Sequence, residues 1–180
     1  MKKTVLKFGF LSGAVMAVFM AASFPFLHDF GFDTGLVVGY TGIVLAFLLV
    51  FFGIRSYRDT MNGGRIGYWR GVVVGTLIAV ISSLCYTATW EVLSYKFAPN
   101  FGQSYADAAV AKARADGKSD AEVAKVRADM QQFVENYKNP LYSSAMTFIE
   151  PFPVGLVIAL VSAGILRRKE DADEAALATA

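Results

Sequence analysis

Hydrophobic positions along the chain gather into four long runs separated by polar connections. The runs cover residues 8–27, 35–54, 71–93 and 147–166, and none of them contains a lysine or arginine. Each is close to the roughly 20 residues that a helix needs to cross the hydrocarbon layer. A helix also satisfies its own backbone polar groups, which lipid cannot do. The pattern predicts an all-α membrane protein with four transmembrane helices.

The longest polar connection, residues 96–145, carries a helical period of its own. Ser119 stands three residues before Glu122, the spacing of a capping box. Val123, Val126, Met130, Phe133 and Tyr137 then recur at intervals of three and four. This predicts a helix that ends before Asn139-Pro140. An Ala-rich stretch over 104–116 predicts a second, weaker helix, broken at Gly117. Together they form a helical extramembrane hairpin between membrane helices 3 and 4. Its apolar stripe has three possible destinations: the neighbouring helix, the membrane surface, or a partner protein. Residues 1–169 read as one domain. The last residues, "EDADEAALATA", read as a disordered acidic tail over 170–180.

Charge gives the chain a direction across the membrane. All seventeen lysines and arginines lie outside the four runs. Lys2, Lys3 and Lys7 precede the first run, Arg55, Arg58, Arg65 and Arg70 fall between the second and third, and Arg167, Arg168 and Lys169 follow the fourth. These short flanks place ten basic residues on one side, and the short connection over 28–34 on the other side has none. Positive charge in short flanks stays cytoplasmic, while loops as long as the third connection count for little. The expectation is a multi-pass protein of a bacterial cytoplasmic (inner) membrane, N-in and C-in. A second reading of "MKKTVLK" and the first run is a cleaved signal peptide, with Ala21-Ala22-Ser23 as the cleavage site. It leaves the orientation of the other three runs unchanged.

Composition narrows the chemistry. A net charge of +2, dispersed around apolar runs, gives no basic stripe for nucleic acid. One cysteine, Cys85, and one histidine, His28, exclude an intrachain disulfide and any site built on several such ligands. Cys85 reads as a small buried hydrophobe. His28, Asp29 and Asp33 share a short turn that reads as solvated, and Asn62-Gly63-Gly64 is turn chemistry. The chain has no nucleophile with a matching base, no phosphate-binding glycine loop followed by lysine and no metal-ligand motif. It is expected not to be an enzyme, and no metal or cofactor is expected.

Three sets of residues remain as candidates. Small residues four apart occur in every run: Gly9 and Gly13; Gly35 and Gly39, with Gly42 and Ala46 beside them; Gly71, Gly75 and Ala79; and Gly155, Ala159 and Ala163. Such stripes let membrane helices approach closely, inside one bundle or between two copies. Glu91 and Glu150 are the only acids within or at the edge of the runs, which makes them candidates for proton or ion coupling. A helical wheel turns both away from the small-residue faces. That favours a supporting role against headgroups, Lys96 or an aromatic hydroxyl such as Tyr142. Arg55, Arg58, Arg65 and Arg70 are candidates for anionic lipid headgroups, because guanidinium grips phosphate bidentately. Tyr57, Tyr68 and Trp69 would be the interfacial anchors beside them.

Several landmarks occur in one order. "YRD" and a glycine-rich turn follow the second run, "TWE" lies near the end of the third, "FAPNF" comes shortly after, and "EPFPVGLVIALVSAGILRRK" closes the ordered chain. Over about Gly9 to Lys169 this resembles a family of small bacterial inner-membrane proteins, domain of unknown function 4199. The resemblance implies four helices and a bacterial membrane, and implies no activity. Two function classes are therefore carried forward. One is a non-enzymatic scaffold or accessory component, acting through its outer hairpin on a membrane partner or a second copy. The other is a small proton- or ion-coupled carrier using Glu91 and Glu150.

Overall fold

The computed structural model describes residues 1–26, 32–61 and 64–167. Helix α1 spans Lys2–Ser23 and closes with a 3-10 turn at Phe24–Phe26; α2 is Phe32–Met61 and α3 is Tyr68–Phe97. Helices α4 (Phe101–Ala115) and α5 (Asp120–Tyr137) form a hairpin, followed by α6 (Pro140–Ile149) and α7 (Phe152–Leu166). Four segments are long and apolar enough to cross a membrane: Lys2–Phe26, Asp33–Thr60, Tyr68–Phe97 and Pro140–Leu166. The last comprises α6 and α7 together. It reaches further back than the apolar run at 147–166 because Asn139 caps a helix that starts at Pro140, accepting the Leu141 backbone N–H at 3.0 Å. The expectations for His28, Asp29, Asn62, Gly63, Arg168, Lys169 and the tail fall outside the described residues.

Helices α2 and α3 occupy the middle of the bundle. Each packs on α1, on α7 and on the other. Their inner faces bury Ile43, Phe47, Val50, Ile54, Val74 and Ile78, and Met16 joins them from α1. The outward faces carry Phe10, Val18, Leu45, Val157 and Ile165, all exposed. Apolar on both faces is what a helix bundle with lipid as its solvent requires, since lipid tails are as apolar as the core. With no hydrophobic gain between helices, small residues and buried hydroxyls decide the contacts. Ser12 Oγ donates to the Ala46 carbonyl at 2.9 Å, and Ser82 Oγ donates to the Gly9 carbonyl at 3.1 Å.

The hairpin closes on itself. Ser119 and Glu122 make both halves of the capping box at the start of α5, and Gly117 turns the chain at φ +73°. The α5 stripe meets α4: Val123, Ala106 and Ala113 are buried. Tyr105 packs on Phe133 at 5.6 Å between ring centroids, and Phe101 on Tyr137 at 6.0 Å. Of the three destinations open to the stripe, the neighbouring helix is the one observed.

Candidate functional site

Antiparallel α3 and α7 meet along a stripe that steps four residues at a time. A Cβ added at Gly71 would lie 3.0 Å from the Ala163 Cβ, and one at Gly75 would lie 2.7 Å from the Ala159 Cβ. A Cβ at Gly155 would lie 2.8 Å from the Ala79 Cβ. Each step of four along α3 thus meets a step of four back along α7. Continued, the same count sets Ser83 opposite Pro151, Thr87 opposite Thr147 and Glu91 opposite Ser143. All of these but Glu91, which is half-buried, are buried. The last pair is in contact: Ser143 Oγ donates to Glu91 Oε1 at 2.8 Å, and Ser144 Oγ donates to the same oxygen at 3.1 Å. The register therefore survives the break at Glu150–Pro151. Pro151 and Pro153 remove two backbone donors there, but both residues of the break keep right-handed helical angles.

Glu150 turns inward as well. Its Oε2 accepts the Tyr86 hydroxyl at 3.1 Å. The helical-wheel expectation that both carboxylates face away from the helix contacts is thus overturned; an aromatic hydroxyl does meet Glu150, but it is that of Tyr86 and not Tyr142, and Glu91 is held by serines. The reason lies in the stripe. A step of four advances about 40° around a helix of 3.6 residues per turn. From Gly71 to Glu91 the contact line rotates about 200° in five steps, and α7 and α6 follow it around α3. A wheel that holds the contact face fixed at Gly71 places Glu91 on the wrong side.

The hairpin joins this cluster through Tyr137. Its hydroxyl accepts the Trp90 indole N–H at 2.7 Å. Burial holds the Tyr137 hydroxyl above its ordinary pKa; the bond from Trp90 opposes that shift, and the carboxylates of Glu91 and Glu150 add to it. A second tie lies at the turn end of α4, where Lys112 Nζ meets Asp33 Oδ2 at 2.7 Å. The Asp33 bond is the largest cause of Lys112's raised pKa. Sequence reasoning missed Trp90, Ser143, Ser144 and Thr147. The signal was present: Ala79, Ser83, Thr87 and Glu91 continue the four-residue spacing past the last small residue.

The remaining candidates are dispersed. Gly9 and Gly13 lie on α1 against Ile81 and Cys85 of α3; Cys85 is half-buried there. On α2, a Cβ at Gly42 would overlap the Phe19 ring, while one at Gly39 would meet nothing within 4 Å. Gly35 is half-buried. Arg55 and Arg58 both turn to Asp59, at 3.7 and 2.7 Å. Arg65 is half-buried and Arg70 is exposed. Trp69 is exposed beside them, but Tyr57 is only 4 % exposed and belongs to the core. The anchor expectation for Tyr57 is therefore overturned: the helical repeat of α2 carries it onto the same inner face as Val50 and Ile54. Among the described residues no group of three or more His, Cys, Asp or Glu side chains is placed to hold a metal ion.

The family model "Protein of unknown function (DUF4199)" matches residues 7–168. The chain belongs to this family. The DUF4199 match takes in the first apolar helix from residue 7, the other three, the hairpin and every residue of the carboxylate–hydroxyl cluster. No curated protein and no solved structure matches the chain.

Proposed function

We propose that this DUF4199 protein is a non-enzymatic scaffold or accessory component of a bacterial cytoplasmic membrane. In this reading both termini and the arginine turn are cytoplasmic, and the α4–α5 hairpin stands outside. The orientation rests on the ten short-flank basic residues gathered on one side. The scaffold role rests on one observation: the hairpin is tied to the bundle at two separate points, Tyr137 to Trp90 and Lys112 to Asp33. The helix pair has an apolar seam of its own, and the two ties add a fixed attachment to the bundle. Fixing it at two points presents its outer surface in one orientation, which is what a docking element for a membrane partner needs. At the opposite end, exposed Arg70 and Trp69 suit anionic headgroups, and no cofactor is invoked.

The test has two parts. A reporter active only outside the cytoplasm is fused at Gly117 and, separately, at Gly64. Activity at Gly117 and silence at Gly64 are expected, and the reverse refutes the orientation. A photo-crosslinking residue at Gln131 should then trap one discrete partner in cells. A smear no different from that of a crosslinker at Gly64 would remove the scaffold reading.

The carrier reading is kept because Glu91 and Glu150 face helix neighbours and not headgroups. It requires proton-dependent flux in proteoliposomes that Glu150→Gln abolishes while the protein stays folded.

A further inference from the structure

The hairpin bears a groove of about 330 Å³ between α4 and α5. Its floor is Ala106, Val110, Met130 and Val134, and Arg114 and Arg127 both line it. Neither arginine forms an ion pair with another described residue, although Arg55, Arg58, Lys112 and Lys138 do. Asp107, the groove's one acid, is engaged by Gln103 Nε2 at 2.9 Å. It sits seven residues from Arg114, about 10 Å along the helix. The groove opens on a different side of α4 from the one that meets α2, with Ala111 between the two. Ala108, Lys112 and Ala115 line the α2 side of α4, against Asp33 and Thr34. Gln103, Val110 and Arg114 lie about half a turn around the same helix.

We infer that this groove binds the carboxylates of an acidic peptide segment from a partner protein, through Arg114 and Arg127. The inference rests on the scaffold reading and names the chemistry of its partner. Two guanidiniums with no ion-pair partner among the described residues favour carboxylates, which they grip in a planar, bidentate way. The valines and methionine between them accept an apolar side chain of the same segment, and methionine adapts to irregular shapes. The site is too open to enclose a small molecule, and its lining comes from the hairpin alone. A peptide from the aqueous side therefore fits it better than a membrane lipid.

The full-length protein in nanodiscs of zwitterionic lipid would be titrated with a labelled peptide of repeated Glu-Glu-Leu. Saturable binding is expected, weakening with salt. The Arg114→Gln, Arg127→Gln double variant should bind about tenfold more weakly, the sum of two solvent-exposed charge contacts. Both side chains are exposed, so the variant should melt with the wild type. Three results would overturn the proposal: equal binding by the double variant, equal binding of a Gln-Gln-Leu peptide, or displacement by inorganic phosphate alone, which would mean a small-anion site. Crosslinking at Gln131 in cells separates the two readings. A trapped partner that is indifferent to both arginine substitutions leaves the scaffold standing and removes the groove. Arginine-dependent peptide binding with no trapped partner does the opposite.

Discussion

The seam between α3 and the α6–α7 helix is one line of contact made by two chemistries. From Gly71 to Ala79 it is glycine against alanine, with backbones so close that an added Cβ would fall 2.7 to 3.0 Å from its neighbour. From Ser83 to Glu91 it is hydroxyls and carboxylates, bonded across the seam at Glu91 and Glu150, while the buried Ser83 Oγ has no hydrogen-bond partner among the described residues. The difference follows from what each half can exchange. The glycine half holds by dispersion between close surfaces, so its constraint is volume. The polar half holds by hydrogen bonds that have no water to replace them, so its constraint is pairing. A single substitution therefore means different things in the two halves: added size is severe below, and a lost partner is the damage above.

The strongest way to break this contrast is Gly75→Leu. It is expected to abolish folding in detergent, because the Leu side chain would have to displace Ala159 and Ile54 together. Even Gly75→Ala should cost about 1–3 kcal/mol by thermal or denaturant titration, the usual range for overpacking. A wild-type melting curve for Gly75→Leu would show that the seam opens without cost.

Next comes the polar half. Glu91→Gln with Ser143→Ala, read as a double-mutant cycle, should give a coupling energy of about 0.5–1.5 kcal/mol, within the range for interhelical hydrogen bonds in membranes. Glu150→Gln with Tyr86→Phe should couple to a similar or smaller extent. Additive effects in both cycles would mean that these contacts do not hold the seam.

Outside the membrane the effect is smaller and depends on pH. The Ser119 hydroxyl and backbone N–H hold the Glu122 carboxyl below its ordinary value of 4.5. A group lowered in the fold contributes stability that is complete above 4.5 and is lost as pH falls through its folded value. Circular dichroism of the hairpin should therefore show helix loss in that acid range, and Glu122→Gln should remove the step. Lys112 has the opposite sign. Raised by Asp33, its contribution is complete below 10.5 and is lost as pH rises through its folded value.

The smallest effect is expected at Gly39→Ala. Nothing lies within 4 Å of the added Cβ, so stability should change by about 0.5 kcal/mol or less. A large loss would mean that another molecule covers this face of α2.

Parts of this arrangement were legible in the amino-acid order. The apolar runs predict the four long helices, because length and hydropathy alone select segments that cross lipid. Ser119 and Glu122 announce the start of α5, since a capping box needs only local spacing. The carboxylates were not legible in the same way. Their direction depends on how far the contact line has rotated around α3 by the time it reaches Glu91, and that rotation belongs to the pair of helices. Tyr57 failed for a related reason: an aromatic beside arginines reads as an interfacial anchor, yet the inner face of α2 runs one turn further than the apolar run suggests. Trp90 and Tyr137 stand 47 residues apart, and no local period connects them.

The four-residue step has a consequence for how such a chain can change length. Gly71 with Ala163 and Glu91 with Ser143 are aligned by counting outward from the hairpin along both helices at once. Adding or deleting residues inside the hairpin leaves every one of those partners facing its mate. Deleting one residue from α3 between Ala79 and Ser83 would turn Glu91 about 100° out of the seam and leave the glycine pairs untouched. The turn of the hairpin is freer to be edited than α3, so related chains should differ in length about Gly117 and keep an invariant count from Gly71 to Glu91.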